Sequence, residues 1–155
     1  MKYRGLSCSG NHKWIYGLSR QKLNADIVDK IVDCESAIVY EIIPETLGEE
    51  TEYMDKHRKQ IYTGDILSQE VNGKVQEYIV EKTTIDQEHM VIHESANSGI
   101  RVRLSGVIVL KQILPGGGIK VFLPCVDHLG IDDCRRMEII GTIHDKEICK
   151  HESQS

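Results

Sequence analysis

Gly64-Asp65-Ile66-Leu67-Ser68-Gln69-Glu70-Val71-Asn72-Gly73-Lys74-Val75-Gln76-Glu77-Tyr78-Ile79-Val80 reads as two strands joined by a two-residue turn, and this hairpin decides the fold class. Asn72 and Gly73 both tolerate the positive φ that a type I′ turn demands, so the strands on either side pair antiparallel. Gly64 can take a backbone conformation closed to other residues. Asp65 behind it can accept hydrogen bonds from nearby amides, and Ile66-Leu67 then enter a buried strand. Working outward, β-branched runs at about 61–70, 74–83, 89–93, 100–112 and 119–126 predict a series of strands. Asn97-Ser98-Gly99 and Gly116-Gly117-Gly118 supply the turn chemistry between the later ones. Short strands with tight antiparallel links predict a mainly β fold with minor α. Its form is a small antiparallel β-barrel or a curled sheet, because closure removes edges that would otherwise pair with other chains.

Upstream, Lys13-Trp14-Ile15-Tyr16-Gly17 and Ser36 to Ile43 read as two further strands. Between them Ile27-Val28 and Ile31-Val32 recur at a spacing of four among Asp26, Asp29 and Asp33, so 24–34 fits a short amphipathic helix or a β-hairpin equally. Pro44 cannot donate a ladder hydrogen bond and Gly48 follows soon after, which predicts a short turn or a single helical turn over 43–48. The charged stretch from Glu49 to Gln60 reads as an exposed connection and places an internal boundary. The expected organisation is an N-terminal strand-rich region over 1–52, a C-terminal small β-barrel over 53–150, and a disordered tail at 151–155.

Composition narrows the function classes. With 19 Lys and Arg against 24 Asp and Glu, the chain carries a formal charge of -5, so no global field draws it to phosphate backbones. Aromatic residues make up 5%, which leaves few platforms for stacking successive bases; nucleic acid is disfavoured as a partner. No stretch approaches the roughly 18 to 20 apolar residues of a membrane span, and the N-terminus lacks the apolar run of a signal peptide. The expectation is a protein that stays in the cytoplasm. Five cysteines, Cys8, Cys34, Cys125, Cys134 and Cys149, form no C-x-x-C pair and fit reduced thiols better than a disulfide framework.

Candidate chemistry is sparse. His89 and His93 are four apart and share a face, and Cys125-x-x-His128 offers a second ligand pair, yet 31 residues containing strand-like runs separate His93 from Cys125. Surface histidines and a buried thiol are the ordinary reading, and neither a metal nor a cofactor is expected. Pro115-Gly116-Gly117-Gly118 resembles a phosphate cradle in composition, but the strand-like Val121-Phe122-Leu123 follows it where a cradle needs a helix start. Ile100-Arg101-Val102-Arg103-Leu104-Ser105 alternates, so Arg101 and Arg103 share a face and can meet a phosphate or an acidic surface; a solvated strand face is the alternative. No nucleophile elbow, H-E-x-x-H helix or P-loop occurs. A divalent-metal nuclease would have to use Asp65 with Glu77 or Glu81, and the chain gives that pair no lysine or histidine at motif spacing.

Three blocks together resemble the YopX-like family of phages and prophages. Tyr3-Arg4-Gly5 followed by Lys13-Trp14-Ile15-Tyr16-Gly17 is similar to its opening. Ile43-Pro44-Glu45-Thr46-Leu47-Gly48, continuing to Asp55-Lys56 and then Lys59-Gln60-Ile61-Tyr62-Thr63-Gly64-Asp65-Ile66, is similar to its most recognisable signature. Met137 to His144, with Gly141 inside it, resembles its closing strand. The chain departs from the pattern at Glu49-Glu50-Thr51, at Arg58, where a glycine is common in the turn, and after Asp145. The resemblance implies a phage or prophage origin, hence a bacterial host cytoplasm, a C-terminal β-barrel and frequent self-association, with Trp14, Pro44, Gly64, Asp65 and Gly141 as structural positions. It supplies no catalytic residues. The expected function is a non-catalytic accessory protein that binds a host or phage protein as a homo-oligomer. The alternatives are a protein that sequesters a small phosphorylated ligand, such as a nucleotide signal of host defence, through Arg101 and Arg103, and the metal-dependent nuclease.

Overall fold

Alternation of side chains in short runs produces two antiparallel sheets, and the chain is mainly β. The structure, a computed structural model, describes residues 2–20, 30–87 and 102–145. In the first sheet β1 (Tyr3–Leu6), β2 (Trp14–Arg20), β3 (Lys30–Asp33), β4 (Val39–Glu41), β5 (Gly48–Met54) and β6 (Gln60–Tyr62) run in the order β4-β3-β2-β1-β5-β6. The second sheet contains β7 (Asp65–Val71), β8 (Lys74–Gln87), β9 (Val102–Ile113), β10 (Ile119–Phe122) and β11 (Glu138–Thr142), in the order β10-β9-β8-β7-β11. Among the described residues no helix is long and apolar enough to cross a membrane.

The hairpin expected over Gly64 to Val80 is present in the expected register. Val71 faces Lys74, and the turn residues Asn72 and Gly73 hold φ of 52° and 77°. The run expected over 61–70 is broken at Gly64, whose φ of 91° suits glycine and ends β6 before β7 begins. The Gly64 amide donates to Val80 O at 2.8 Å, while its carbonyl accepts from the Ile143 amide at 2.9 Å. Thr63-Gly64 is thus the point where the chain passes from one sheet to the other.

Among the described residues neither sheet closes into a barrel, so of the two expected forms the curled sheet is the one that fits. Closure of the second sheet would pair β10 with β11, but these lie at opposite ends of the strand order. The C-terminal barrel implied by the family resemblance is corrected in the same way. A second correction concerns 49–60: six of these residues, Glu49 to Met54, belong to β5 rather than to an exposed connection. Their charges are accommodated at a strand because Glu49, Glu50 and Glu52 are half-buried or exposed while the uncharged Gly48 and Thr51 take the buried positions. Thr51 is buried and its hydroxyl donates to Ile61 O at 2.8 Å, while Glu49 pairs with Lys82 at 2.7 Å. Lys30–Asp33 is a strand paired with both β2 and β4, which favours the hairpin over the helix for that part. The expected helical turn after Ile43 is a 3₁₀ turn over Pro44–Thr46. The expected strand at 89–93, the turn at 97–99 and the tail at 151–155 lie outside the described residues.

Two apolar clusters hold the sheets. Ile15, Ile31 and Ile42 form one within the first sheet, with Tyr3, Tyr40 and Leu47 against them. Ile61, Leu67, Tyr78, Val80, Leu110, Cys134 and Met137 form the other. Ile61 comes from β6 and the rest from the second sheet or from the segment before β11, so the larger core is shared between the sheets. Arg58 sits in the β5–β6 turn at a φ of 62°, a left-handed conformation that costs a side chain-bearing residue free energy. Arg58→Gly is expected to raise the unfolding free energy by about 0.5–1 kcal/mol in urea titration, the relief of strain exceeding the extra freedom of the unfolded chain. An unchanged or lower midpoint would show that the turn carries no such strain.

Candidate functional site

Arg4 stands on β1 between Tyr3 and Gly5, and strand parity puts it on the same side as Leu6, so the charge is carried inward. Only 4% of Arg4 is exposed, and 1% of Asp65. Their meeting ties the first strand of one sheet to the first strand of the other: Arg4 Nη1 lies 2.7 Å from Asp65 Oδ1. That contact has ion-pair distance without hydrogen-bond angles, and Arg4 Nε has no acceptor among the described residues. Nη2 donates to Thr63 O at 3.3 Å, and Asp65 Oδ2 accepts from the Tyr62 amide at 2.8 Å. Burial pushes the Asp65 carboxyl above its usual range, and Arg4 with the Tyr62 amide pulls the other way.

Aromatic rings close around the guanidinium. Its Cζ is 4.7 Å from the centroid of Trp14 and 5.2 Å from that of Tyr62, distances at which the ring quadrupoles attract a cation. Tyr16 meets Tyr62 edge to face at 5.5 Å, and His144 stands 6.2 Å from Trp14. Burial first, then the Glu50 charge and Tyr16, push the Tyr62 hydroxyl up to about 12, so it remains a protonated donor at neutral pH. Beyond these rings opens a cleft of about 520 Å³ between the two sheets, walled by β1, β2 and β6 on one side and by β11 on the other. Lys2 and Lys59 are exposed at it, and Ile139 to Thr142 complete its lining. At Gly141 a Cβ would stand 2.5 Å from the Asp145 carboxylate and would have to displace it from the Thr142 amide and hydroxyl, from which it accepts at 3.0 and 2.9 Å.

Set against protein-family models, curated proteins and solved structures, the chain matches none.

Of the residues singled out in the sequence, Trp14, Asp65 and Gly141 line this cleft and Gly64 adjoins it. Pro44 does not line it; it opens the 3₁₀ turn whose Thr46 hydroxyl accepts from the Leu6 amide at 2.9 Å and so braces β1 from behind. Arg101, His89 and His93 lie outside the described residues, and Arg103 is placed only by its register opposite Asp86. Cys125 and His128 are both exposed in the segment after β10, where the Cys125 amide donates to Asp133 and its thiol to Leu123 O. Cys134 is buried in the shared core, where desolvation and then Asp132 and Asp133 push its thiol to about 12. Among the described residues no three His, Cys, Asp or Glu side chains gather as a metal site. Asp65 is engaged by Arg4, and Glu81 by Lys111 at 3.2 Å.

The sequence reading passed over Lys2, Arg4, Tyr16, Lys59 and Tyr62 as site residues. One signal was available. Arg4 has the parity of Leu6 in a strand, and an inward arginine requires an inward acid, for which the Asp after Gly64 was the natural partner.

Proposed function

We propose that the protein is a non-catalytic accessory protein of phage or prophage origin, akin to the YopX-like family, that acts by binding and seats its ligand in the inter-sheet cleft. The observation that carries this reading is convergence. Apart from Lys2, every residue lining the cleft belongs to one of the three separated blocks that resemble that family: Arg4, Trp14 and Tyr16 from the first, Lys59 to Asp65 from the second, Ile139 to Thr142 from the third. Blocks distant in sequence that assemble one concave, aromatic-walled surface are what a binding site requires. Among the described residues the cleft's one carboxylate is held by Arg4 and the Tyr62 amide, and no serine, cysteine or histidine lines it, which favours binding over turnover. Action as a homo-oligomer in the bacterial cytoplasm completes the proposal. Its support is β10, an edge strand exposed along its whole length with Ile119, Val121 and Phe122 open to solvent, which a second copy of the chain would cover.

Native mass spectrometry of the untagged protein from bacterial cells tests both parts. The expected result is a multiple of the chain mass carrying a small non-covalent adduct that the Lys59→Glu variant loses. A bare monomer would overturn the proposal, and so would a retained compound that the protein converts to something else during incubation.

A further inference from the structure

We propose that the cleft takes a small planar anion of the nucleoside monophosphate class, its ring stacked on Tyr16 and Trp14 and its phosphate held by Lys2 and Lys59. This assignment rests on the cleft being the binding site and names what that site selects. Three features of the wall carry it.

The first is a prearranged aromatic surface. Tyr16 is 37% exposed and Trp14 partly so, yet neither ring is loose: Tyr62 fixes Tyr16 edge to face, and the Arg4 guanidinium lies over Trp14. Rings already held in place lose little freedom when a flat ligand stacks on them. The second is charge. Lys2, Arg4 and Lys59 against Asp65 leave the cleft with two net positive charges, three minus one, on a chain whose formal charge is -5. Arg4 is matched by Asp65, whereas among the described residues neither the Lys2 nor the Lys59 ammonium stands at ion-pair distance from a carboxylate, Lys59 acting on Asp65 only from farther off; it is the Lys2 backbone amide that donates to Glu50, at 3.1 Å. An unmatched positive patch inside an acidic protein concentrates small anions while the protein as a whole repels polyanions. The third is the edge of β11. β11 is the last strand of its sheet, and its ladder to β7 shifts between Ile139 and Gly141, which leaves Ile140 out of register at the cleft; the outward edge of such a strand can hydrogen-bond the rim of a heterocycle. A volume of about 520 Å³ suits a ligand of that size and not a polymer.

Trp14 is the chain's single tryptophan, so its fluorescence senses this wall alone. The test titrates the full-length protein with adenosine 5′-monophosphate, and in parallel with adenosine and with ribose 5-phosphate, each lacking one half of the ligand. The expected result is saturable quenching by the monophosphate, with each half-ligand weaker by about tenfold or more. Lys59→Glu, an exposed substitution that leaves the core intact, is expected to weaken the monophosphate by about tenfold and leave adenosine unchanged; Tyr16→Ala is expected to weaken both. Ribose 5-phosphate binding as well as the monophosphate, or no quenching at all, overturns the assignment. If quenching is absent while native mass spectrometry still finds an adduct lost in Lys59→Glu, the ligand class is wrong and the cleft keeps its role. If the adduct is absent too, both readings fall.

Discussion

Arg4→Met is expected to lower the unfolding free energy at neutral pH by about 3–5 kcal/mol, because it strands the Asp65 carboxylate without a counter-charge at 1% exposure. Methionine keeps most of the arginine stem's volume, so the loss reads the charge rather than a cavity. The double variant Arg4→Met with Asp65→Asn is expected to recover about 2–3 kcal/mol of it, since asparagine is neutral and its side-chain oxygen can still accept the Tyr62 amide. Additive losses in the two single variants would show that the two side chains do not depend on each other. The pH dependence gives a second check. Burial already holds the Asp65 carboxyl above its ordinary range, and removing Arg4 removes the strongest opposing influence, so the folded-state value climbs further. A group raised on folding contributes stability below its unfolded value and loses it as pH rises through the folded value. The deficit of Arg4→Met should therefore be small near pH 4 and full at pH 8. A deficit independent of pH would place the damage in packing.

How far the sequence foretold this arrangement depends on the range of the interaction. Asn72-Gly73 and the Gly64-Asp65 strand entry are local: the turn residues must hold positive φ whatever lies elsewhere, and they do. The reading failed where tertiary pairing outweighed local character. Glu49 to Met54 looks like a solvated connection because its charges are numerous, yet Lys82 and the β6 backbone supply partners that no short window contains. The barrel failed for a related reason. Strand count and turn spacing are equally consistent with an open sheet, and the choice lies in whether the two edge strands meet. The site was half legible. Asp65 and Trp14 stood out singly, but the cleft is made by pairings between segments some sixty or more positions apart, the buried Arg4–Asp65 ion pair between β1 and β7 and the Asp55 bond to Ile139 among them.

Asp55→Ala is expected to cost about 3–4 kcal/mol, from the loss of charge-assisted hydrogen bonds to three amides at once. Asp55 Oδ1 accepts from His57 N and Lys59 N, each at 2.9 Å, which shapes the β5–β6 turn, and Oδ2 accepts from Ile139 N at 3.2 Å, across the gap to the second sheet. One carboxylate thus sets the turn and fastens β11 to it, assisted by the Lys56 amide on Met137 O at 2.8 Å. Asp55→Asn retains one acceptor oxygen and should cost about half as much. Burial by itself would raise the Asp55 carboxyl, but the amides of Lys59, Ile139 and His57 together overcome it and hold the group below its ordinary range. A group lowered on folding gives its stability above the unfolded value and loses it as pH falls through the folded value. The gap between wild type and Asp55→Ala in urea should accordingly be wide at pH 7 and narrow below about pH 4. Hydrogen exchange supplies the local reading: the Ile139 amide should lose more protection in Asp55→Ala than the amides of β8, since its acceptor is gone while theirs are untouched. Because Ile139 lines the cleft, the same variant should loosen the wall opposite Trp14. Equal loss of protection in β8 would mean that Asp55 stabilises the fold as a whole and does not fasten β11 in particular.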